Sequence, residues 1–493
     1  MAGIAGIVGT DSGSLQLMLE RITHRGPDDT VLFHDGNVHM GCNELNVGAD
    51  CKDGAHSAST GNRTAIIDGR VYNPEKKTRK DAEVLLDLYD KFGSQFARMI
   101  DGDFACAVSD NGRLLLARDG AGIKPLYYGH DAHGNLCFAS EAKALVDISY
   151  DVREFPPGYL YSRDLGFVTY QTAAVETPEF EHFEQAKKVV RNLLIEATEK
   201  RMEDNAVTGI FLSGGLDSSI IAAIAAQINP DIECFTSSME DGQDLPLAKE
   251  VIRHLGLRHH ILMFGEKDIE EILPSAIHHQ EMYEESCVHG AIANYLTARF
   301  AKQTHENCRC VLTGEGADEF FAGYDGQYKQ GTNPEEIARI VDTLLSVSHN
   351  TALQRLDRLN AAHSMESRTP FLDAKVMDFA MKIPLACKIH GDDQTGKWVL
   401  RRAFEDMLPE HLIYQTKRFF AQGSGVAYIM RRHAEKVISE KELMAFNLVD
   451  KNPQLASVEE LYYYRLFKEI LPHPSFDRLV GRWDPMRPAF FRE

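Results

Sequence analysis

The stretch that most constrains this chain is a mostly apolar run that ends in a glycine- and serine-rich loop and continues into an alanine-rich segment. The apolar run covers 207–212, the loop reads Ser-Gly-Gly-Leu-Asp-Ser-Ser at 213–219, and the alanine-rich segment covers 220–226. This order is typical of a strand, a phosphate-binding loop and a helix. Glycines let backbone amides approach an anion, hydroxyls and the helix N-terminus add donors, and Asp217 is suited to Mg²⁺. The loop lacks the Walker A pattern, and the alternative is a plain turn in an α/β domain.

Length and charge exclude several classes of protein. The 493 residues exceed what one hydrophobic core usually holds and predict about two to four domains. A net charge of −20 argues against broad binding to nucleic acids or anionic membranes. The absence of a long apolar stretch and of a signal peptide predicts a cytoplasmic protein. The nine cysteines show no paired metal spacing, so we expect reduced, mostly buried thiols.

The chain divides into a β-rich half and a half in which helices alternate with strands. Residues 1–170 contain many short apolar segments separated by Gly, Asn and Asp. Residues 171–183 are polar and acidic and are expected to form a linker. The alternation over 184–471 predicts a doubly wound parallel sheet with added helices. Residues 472–493 are expected to form a loose tail.

The loop at 213–219 resembles the pyrophosphate-binding loop of the ATP pyrophosphatase superfamily, whose members adenylate a carbonyl or carboxyl oxygen. Thr-Gly-Glu-Gly-Ala-Asp-Glu-Phe-Phe-Ala-Gly-Tyr at 313–324 is similar to a signature of asparagine synthetases. That family's Glu-x-Arg-x-Pro-Phe-Leu-Asp is matched at 366–373, and its C-terminal helices are matched at 397–401 and 417–419. Further matches in the first half lie at 24–28, 118–128 and 140–145, so nearly the whole chain is covered in family order.

The resemblance implies a fold, cofactors and site residues. It implies an N-terminal-nucleophile-type αββα sandwich of the class II glutaminase kind over 1–170, followed by an ATP pyrophosphatase-type synthetase domain over 184–471. ATP and Mg²⁺ are the implied cofactors, with Asp217 and Asp318 as metal ligands at the ends of adjacent strands. Lys417 is expected at the pyrophosphate and the reaction centre, and Glu315 is expected to take a proton from the incoming amine. The residues expected to bind ATP and pyrophosphate are Leu212, Ser213, Gly214, Gly215, Leu216, Asp217, Ser218, Ser219, Gly314 and Lys397.

The first half departs from the family at the positions that hydrolyse glutamine. The family's catalytic cysteine corresponds to Ala2, which carries no nucleophile. Its carboxylate-binding arginine aligns with Glu44, and its oxyanion-hole asparagine aligns with Asp68. Both acids would repel negative charge on the substrate or the intermediate. Gly69 and Asp81 keep the family pattern. These coordinated losses predict natural decay of the glutaminase site, and an engineered change at position 2 is the alternative.

The segment 281–289 aligns with residues that hold aspartate in one branch of the family. The candidate substrate residues here are Glu281, Ser286, Cys287 and His289. His289 stands at the family's arginine and Cys287 at a threonine, which weakens recognition of a simple amino-acid carboxylate. An acid other than aspartate is therefore expected, and the alternative is that other residues hold aspartate.

Two other patterns are interpreted as structural. Residues 391–397 match the first part of a Walker A motif, but Trp398 stands where Ser or Thr is required. We interpret this stretch as a turn into a helix. The neighbouring pairs His259 with His260 and His278 with His279 show no ligand partners at metal spacing, so core or surface histidines are expected.

These observations predict an ATP-dependent amide-forming ligase that adenylates a carboxylate and transfers ammonia or an amine to it without glutamine hydrolysis. AMP and pyrophosphate are the expected by-products. The expected partners are a small carboxylate and ammonia or an amine, with no nucleic acid or membrane, and a homodimer is the assembly to be considered. The alternatives are an ammonia-dependent asparagine synthetase, an intramolecular lactam-forming synthetase and a non-catalytic nucleotide-binding scaffold. Family members that close β-lactam rings carry tyrosine at the position of Glu315, which favours an intermolecular ligase.

Overall fold

The first half of the chain folds into two antiparallel sheets because its short apolar segments are separated by turns. The structure is a computed structural model and describes residues 1–9, 13–47, 56–74, 80–170, 182–240, 242–324, 334–391, 394–415, 425–449 and 453–482. The strands are β1 (Ala2–Val8), β2 (Asp29–Asp35), β3 (Val38–Glu44), β4 (Ser57–Thr60), β5 (Arg63–Val71), β6 (Gly102–Asp110), β7 (Arg113–Arg118), β8 (Tyr127–His130), β9 (Leu136–Ala139), β10 (Arg153–Glu154), β11 (Tyr159–Ser162) and β12 (Gly166–Thr169). One six-stranded sheet has the order β10-β8-β9-β1-β3-β2, and the other has the order β12-β11-β7-β6-β5-β4.

A helix covers the outer face of each sheet. Helix α1 (Gly13–Arg21) packs on β1 and β3, and α2 (Asp81–Phe92) packs on β4 and β5. Alternation along β1 turns Ile4 towards the other sheet and Ile7 towards α1. Short 3₁₀ turns lie at Thr23–Arg25, Gly93–Met99 and Ala142–Ala144. The layers are helix, sheet, sheet, helix, which confirms the predicted αββα sandwich.

The second half contains one parallel sheet. Its strands are β13 (Gly209–Phe211), β14 (Glu233–Ser238), β15 (Arg258–Met263), β16 (Cys310–Leu312) and β17 (Glu366–Arg368), in the order β15-β14-β13-β16-β17. The chain runs outward from β13 to β15 and then returns to place β16 on the other side of β13. Such a reversal of strand order opens a crevice at the carboxyl ends of the two central strands, where open α/β sheets bind ligands. The doubly wound parallel sheet is confirmed.

Helices surround this sheet and continue beyond it. Those before β17 are α3 (Phe183–Met202), α4 (Leu216–Ile228), α5 (Leu245–Leu255), α6 (Glu266–Gln280), α7 (Glu285–Thr304), α8 (Ala317–Phe320), α9 (Pro334–Ser348) and α10 (Ala352–Ala361). After β17 and the 3₁₀ turn Pro370–Leu372 come α11 (Ala374–Lys382), α12 (Leu385–Lys388), α13 (Trp398–Ala403), α14 (Glu410–Ile413), α15 (Val426–Val437), α16 (Glu440–Val449), α17 (Val458–Ile470) and α18 (Phe476–Leu479).

The two ends of the second half bear on the predicted domain boundaries. The predicted linker 171–183 lies outside the described residues except for its last two positions, and α3 begins within it at Phe183. The expectation of a loose tail from 472 is wrong for its described part. Phe476 is 1% exposed, and Ser475 Oγ donates to the carbonyl oxygen of Tyr150 over 3.0 Å. An aromatic side chain anchors this part because it enters a core shared with the first half.

Two further expectations concern the whole chain. The eight cysteines within the described ranges are all free and buried, which agrees with the expected reduced thiols. Over those same ranges, the helices include none with the length and apolar character needed to span a bilayer.

Candidate active site

The glycine- and serine-rich loop lies at the carboxyl end of β13, directly before α4. Gly214 has a φ of +87°, and a Cβ there would lie 2.4 Å from the backbone nitrogen of Ala248, so only glycine fits. The hydroxyls of Ser213 and Ser218 lie 3.1 Å apart and tie the two ends of the turn together. The first amides of a helix have no partner within that helix, so this turn is suited to hold a phosphate.

The remaining loop residues complete the turn. Leu212 is buried, and its amide donates to the carbonyl oxygen of Phe235 on the neighbouring strand over 3.0 Å. Gly215 caps α4, Leu216 is its first residue, and Ser219 Oγ donates to the Gly215 carbonyl oxygen over 2.7 Å. The predicted loop residues therefore form one local structure at the mouth of the crevice.

Two carboxylates converge on one lysine in the crevice. Asp217 follows β13 and Asp318 follows β16, and these strands are hydrogen-bonded neighbours as the sequence predicts. The Lys397 Nζ atom lies 2.6 Å from Asp217 Oδ2 and 2.5 Å from Asp318 Oδ1. The lysine side chain is 2% exposed, and such a buried ammonium requires anionic partners. Three predicted residues from distant parts of the chain thus meet at one point.

The chemistry of these donors fits a divalent cation. Mg²⁺ is usually held by one or two carboxylates together with water and substrate phosphates. Asp217 and Asp318 bring two carboxylates to a single point of positive charge, which is supplied here by Lys397. The same lysine is close enough to the phosphate loop to pair with a phosphate instead.

Two glycines allow this close approach. A Cβ at Gly323 would lie 2.1 Å from both Lys397 Cε and Asp318 Oδ1. A Cβ at Gly314 would lie 2.6 Å from the amide nitrogen of Ser218, so the second loop lies against the phosphate loop. The glycines of the 313–324 segment therefore serve to bring the two loops into contact.

Glu315 is paired with an arginine that sequence reasoning missed. Arg355 Nη2, on α10, lies 2.7 Å from Glu315 Oε2, and both side chains are partly exposed. A Cβ at Gly290 would lie 2.8 Å from Arg355 Nη1, so this arginine also packs against α7. The contact arises from packing of α10 across the site, which no local sequence pattern reports. Lys417, the other predicted catalytic residue, lies outside the described residues.

Glu319 is a buried acid directly beside this group. Its side chain is 2% exposed, and the Tyr324 hydroxyl donates to its Oε1 atom over 2.7 Å. Burial, together with the negative charges of Asp318 and Glu315, raises the pKa of Glu319 to about 7.

Among the candidate substrate residues, Glu281 is occupied by partners from both halves of the chain. It ends α6 with a φ of +56°, and its carboxylate lies 2.7 Å from Arg358 Nη1. It also accepts from the amide of Lys143 over 2.8 Å. The structure thus gives Glu281 a role between the two halves of the chain.

The other three candidates lie in the first turns of α7. Ser286 Oγ donates to Glu284 over 2.8 Å, and burial raises the pKa of the Cys287 thiol. His289 is 5% exposed, and its Nε2 atom lies 2.5 Å from Glu459 Oε1. The imidazole that replaces the family's arginine is thus already engaged by an acid.

The positions that correspond to the family's glutaminase site are buried. Ala2, Glu44, Asp68 and Asp81 are each at most 1% exposed. Gly69 has a φ of +131°, and a Cβ there would lie within 1.9 Å of a backbone oxygen, which explains why glycine is kept. Within this cluster, burial raises the pKa of Glu44.

Arg25 occupies the place next to Ala2 and Asp68. Its Nη2 atom lies 2.7 Å from Asp68 Oδ2, and its Nε donates to the Ala2 carbonyl oxygen over 3.1 Å. The other oxygen of Asp68 accepts from the Ala2 amide over 3.0 Å. Both oxygens of this acid are therefore used by the protein itself.

Arg70 occupies the place next to Asp81. Its Nη1 atom lies 3.4 Å from Asp81 Oδ2, and its Nε lies 3.2 Å from Glu366 Oε2 on β17 of the second half. Arg25 likewise reaches Asp357 on α10 over 2.8 Å. The two arginines thus join the cluster around Ala2 and Asp81 to the second half of the chain. The buried ions of this interdomain network include Arg25, Asp68, Arg70, Asp81, Lys124, Glu141, Lys143, Glu281, Asp357, Arg358 and Glu366.

Comparisons with known proteins agree with this two-part geometry. The family model described as asparagine synthase matches residues 189–344 and 331–475, and the model of a glutamine amidotransferase domain matches residues 1–155. The glutamine-hydrolysing asparagine synthetase of Asparagus officinalis is 31% identical over 96% of this chain and 86% of its own length. Asparagine synthetase B of Escherichia coli, also glutamine-hydrolysing, is 30% identical over 96% of this chain and 92% of its own length.

Similarity to solved structures is weaker. Glutamine phosphoribosylpyrophosphate amidotransferase from B. subtilis covers 52% of this chain and 65% of its own at 16% identity, with a TM-score of 0.29. That score is too low to carry an argument, whereas the family models and relatives span almost the whole chain. The chain therefore belongs to the asparagine synthetase family of ATP-dependent, AMP-forming carbon–nitrogen ligases.

Proposed function

We propose that this protein adenylates a small carboxylate and joins it to ammonia or an amine, and that it does not hydrolyse glutamine. The observation that carries the proposal is the contrast between its two sites. In the crevice, Asp217, Asp318 and Lys397 converge on one point. At the former glutaminase site, both carboxylate oxygens of Asp68 already accept hydrogen bonds, one from Arg25 and one from the Ala2 amide.

Adenylation requires a stabilised leaving group. A substrate carboxylate oxygen attacks the α-phosphorus of ATP, and the bond to the departing pyrophosphate breaks. The loop at 213–219 holds the phosphates, and Lys397 provides positive charge to them. Asp217 and Asp318 would hold Mg²⁺, which, when bound, neutralises phosphate charge. Each of these residues already faces the others across the crevice.

Amide formation then requires a proton acceptor. The amine nitrogen attacks the carbonyl carbon of the acyl-adenylate, AMP leaves with the bridging oxygen, and one amine proton must be removed. Glu315 is the acid we assign to accept it, and Arg355 holds this carboxylate in place. We assign Lys417 to the pyrophosphate and reaction centre on the basis of family resemblance.

The residues of the first half support the proposal that the nitrogen comes from a source other than glutamine. Ala2 has no nucleophilic atom, and Glu44 stands where the family binds the glutamine carboxylate with an arginine. Arg70 is a further obstacle to glutamine binding, because it pairs with Asp81 in the buried interior and so occupies that acid. The glutamine-hydrolysing activity named for the relatives therefore lacks its chemical groups here.

The surroundings of His289 support a carboxylate substrate other than free aspartate. Glu459 and Glu285 both lie within reach of this imidazole, so the pocket wall is anionic at the place of the family's arginine. His289 is therefore not a free positive charge that a substrate carboxylate could pair with. We propose Ser286, Cys287 and His289 as the wall of the acceptor pocket, and Glu281 as a structural residue.

The test uses the whole chain with ATP, MgCl₂, ammonium chloride and a panel of acids that includes aspartate. Release of AMP and pyrophosphate with at least one acid is expected. Asp318→Asn should abolish product release, whereas the control Asp378→Asn, at a half-exposed acid on α11, should retain it. If bound ATP is detected but AMP forms with no acid or amine, a non-catalytic scaffold replaces the proposal.

A further inference from the structure

A cluster of two histidines and one glutamate lies near the amino end of β14 and beside β15, at the opposite end of the strands from the crevice. Glu233 is the first residue of β14, His260 lies on β15, and His305 follows the end of α7. The His260 Nε2 atom lies 3.0 Å from Glu233 Oε2, and the His305 Nε2 atom lies 2.5 Å from the same oxygen. Sequence spacing left His260 without ligand partners, because both partners come from other elements of the fold.

We propose that Glu233, His260 and His305 form a binding site for a single divalent cation of the zinc class. Two neutral imidazole nitrogens and one carboxylate oxygen are a ligand set that Zn²⁺ commonly takes, with water in the fourth position. His305 is 46% exposed, so solvent has access to that position. The proposed ion would be structural, since the residues assigned to the reaction lie at the other end of the strands.

The distances are close to those that a bound ion requires. With metal–ligand bonds of about 2.0–2.1 Å in a tetrahedral site, neighbouring ligand atoms lie about 3.3 Å apart. The two nitrogens already lie 3.0 and 2.5 Å from the shared oxygen, and all three ligand atoms lie within 4.8 Å of one another. A small outward rotation of His305, the exposed ligand of the three, together with a slight shift of His260, would therefore make room for the ion.

Surrounding groups orient the three ligands. Arg258 donates to the second oxygen of Glu233, which leaves Oε2 for the histidines. The His260 ring stacks on Phe235 with centroids 5.1 Å apart, and His305 meets His260 edge to face. Metal ligands in proteins are usually held in orientation by neighbouring side chains in this way. The carbonyl end of α7, where His305 lies, also favours positive charge.

A plain hydrogen-bonded trio is the competing explanation. It would need the histidines only as donors to Glu233 and would show no preference for metals. A metal site would instead tie edge strand β15 and the end of α7 to β14, so binding of Zn²⁺ should raise the melting temperature. Co²⁺ should give the visible absorption of a tetrahedral complex with nitrogen and oxygen ligands.

The experiment titrates Zn²⁺ into the metal-stripped full-length protein by calorimetry and compares four variants. We expect one Zn²⁺ equivalent that is weakened at least 100-fold in His305→Ala, His260→Ala and Glu233→Gln. It should persist in His411→Ala, where an exposed histidine pairs with a single acid, Glu250. His305 is partly exposed, so its loss should leave the fold intact by circular dichroism.

Two outcomes would overturn the proposal. One is that His305→Ala binds Zn²⁺ with the stoichiometry and affinity of the wild type, which would assign the ion to other groups. The other is that wild-type protein shows no Zn²⁺-dependent rise in melting temperature and no tetrahedral Co²⁺ spectrum. AMP formation does not enter either readout, so this inference stands or falls separately from the proposed ligase activity.

Discussion

Lys397 and Asp217 form a buried ion pair in which Nζ lies 2.6 Å from Oδ2. The two residues are far apart in sequence, since Lys397 precedes α13 and Asp217 lies in the first turn of α4. Asp318 completes the group from the adjacent strand. Positive charge is therefore required at this point even before a nucleotide binds. Lys397 is the residue that links the stability of the crevice to its chemistry.

Replacing this lysine should separate those two roles. Lys397→Met should lower pyrophosphate release by about 100-fold or more, since a buried charge aimed at the leaving group is lost. It also leaves two carboxylates facing each other, so Mg²⁺ alone should raise the melting temperature of the variant more than that of the wild type. Lys388→Met, at another buried lysine, serves as the control and should show neither effect. Equal responses of the two variants to Mg²⁺ would contradict this assignment.

Restoring the missing nucleophile alone should not restore glutamine hydrolysis. In Ala2→Cys the thiol would lie beside Asp68 and Arg25, with Glu44 still in place of the carboxylate-binding group. Glutamate release from glutamine should stay at the background level in both wild type and variant, measured by a coupled glutamate assay. Glutamate formed by the wild type above that background would refute the loss of glutaminase activity.

The interdomain network should contribute strongly to stability. Arg25→Met leaves Asp68, Glu141 and Asp357 without their shared cation in the interior. Removing one partner of a buried pair typically costs about 3–5 kcal/mol. Arg21→Met, at an exposed pair with Asp147 on the same half, should cost less than about 1 kcal/mol. Urea unfolding followed by tryptophan fluorescence measures both, and similar midpoints would argue against a structural role for the network.

Much of the fold and part of the site followed from the sequence. The loop at 213–219 and Asp217 were predictable because the loop follows an apolar strand, whereas Asp318 was identified through the resemblance of 313–324 to a family signature. Parallel strands place such residues at one edge of the sheet. Lys397 was identified only by family resemblance, since no strand leads into it, and its position between the two acids could not be read from spacing.

The contacts that could not be predicted are those between distant elements. Arg355 reaches Glu315 only because α10 packs across the crevice, and Arg70 reaches Glu366 across the two halves. The sequence likewise did not show that Arg70 pairs with Asp81. Sequence reasoning detected lost residues, whereas the groups that replaced them emerged from tertiary packing.

The buried acid Glu319 should make the protein less stable as pH rises. Its pKa is about 7 in the folded protein, against 4.5 as the ordinary value, because of burial and the charges of Asp318 and Glu315. An acid with a raised pKa favours folding while protonated, and this contribution is lost as pH rises from about 4.5 through about 7. Glu319→Gln keeps a neutral acceptor for the Tyr324 hydroxyl. It should match the wild type near pH 4 and exceed its stability by about 3 kcal/mol near pH 8. Unfolding midpoints across this range test it, with Glu271→Gln at an exposed acid as the control. A difference between wild type and Glu319→Gln that does not change with pH would show that Glu319 stays charged throughout.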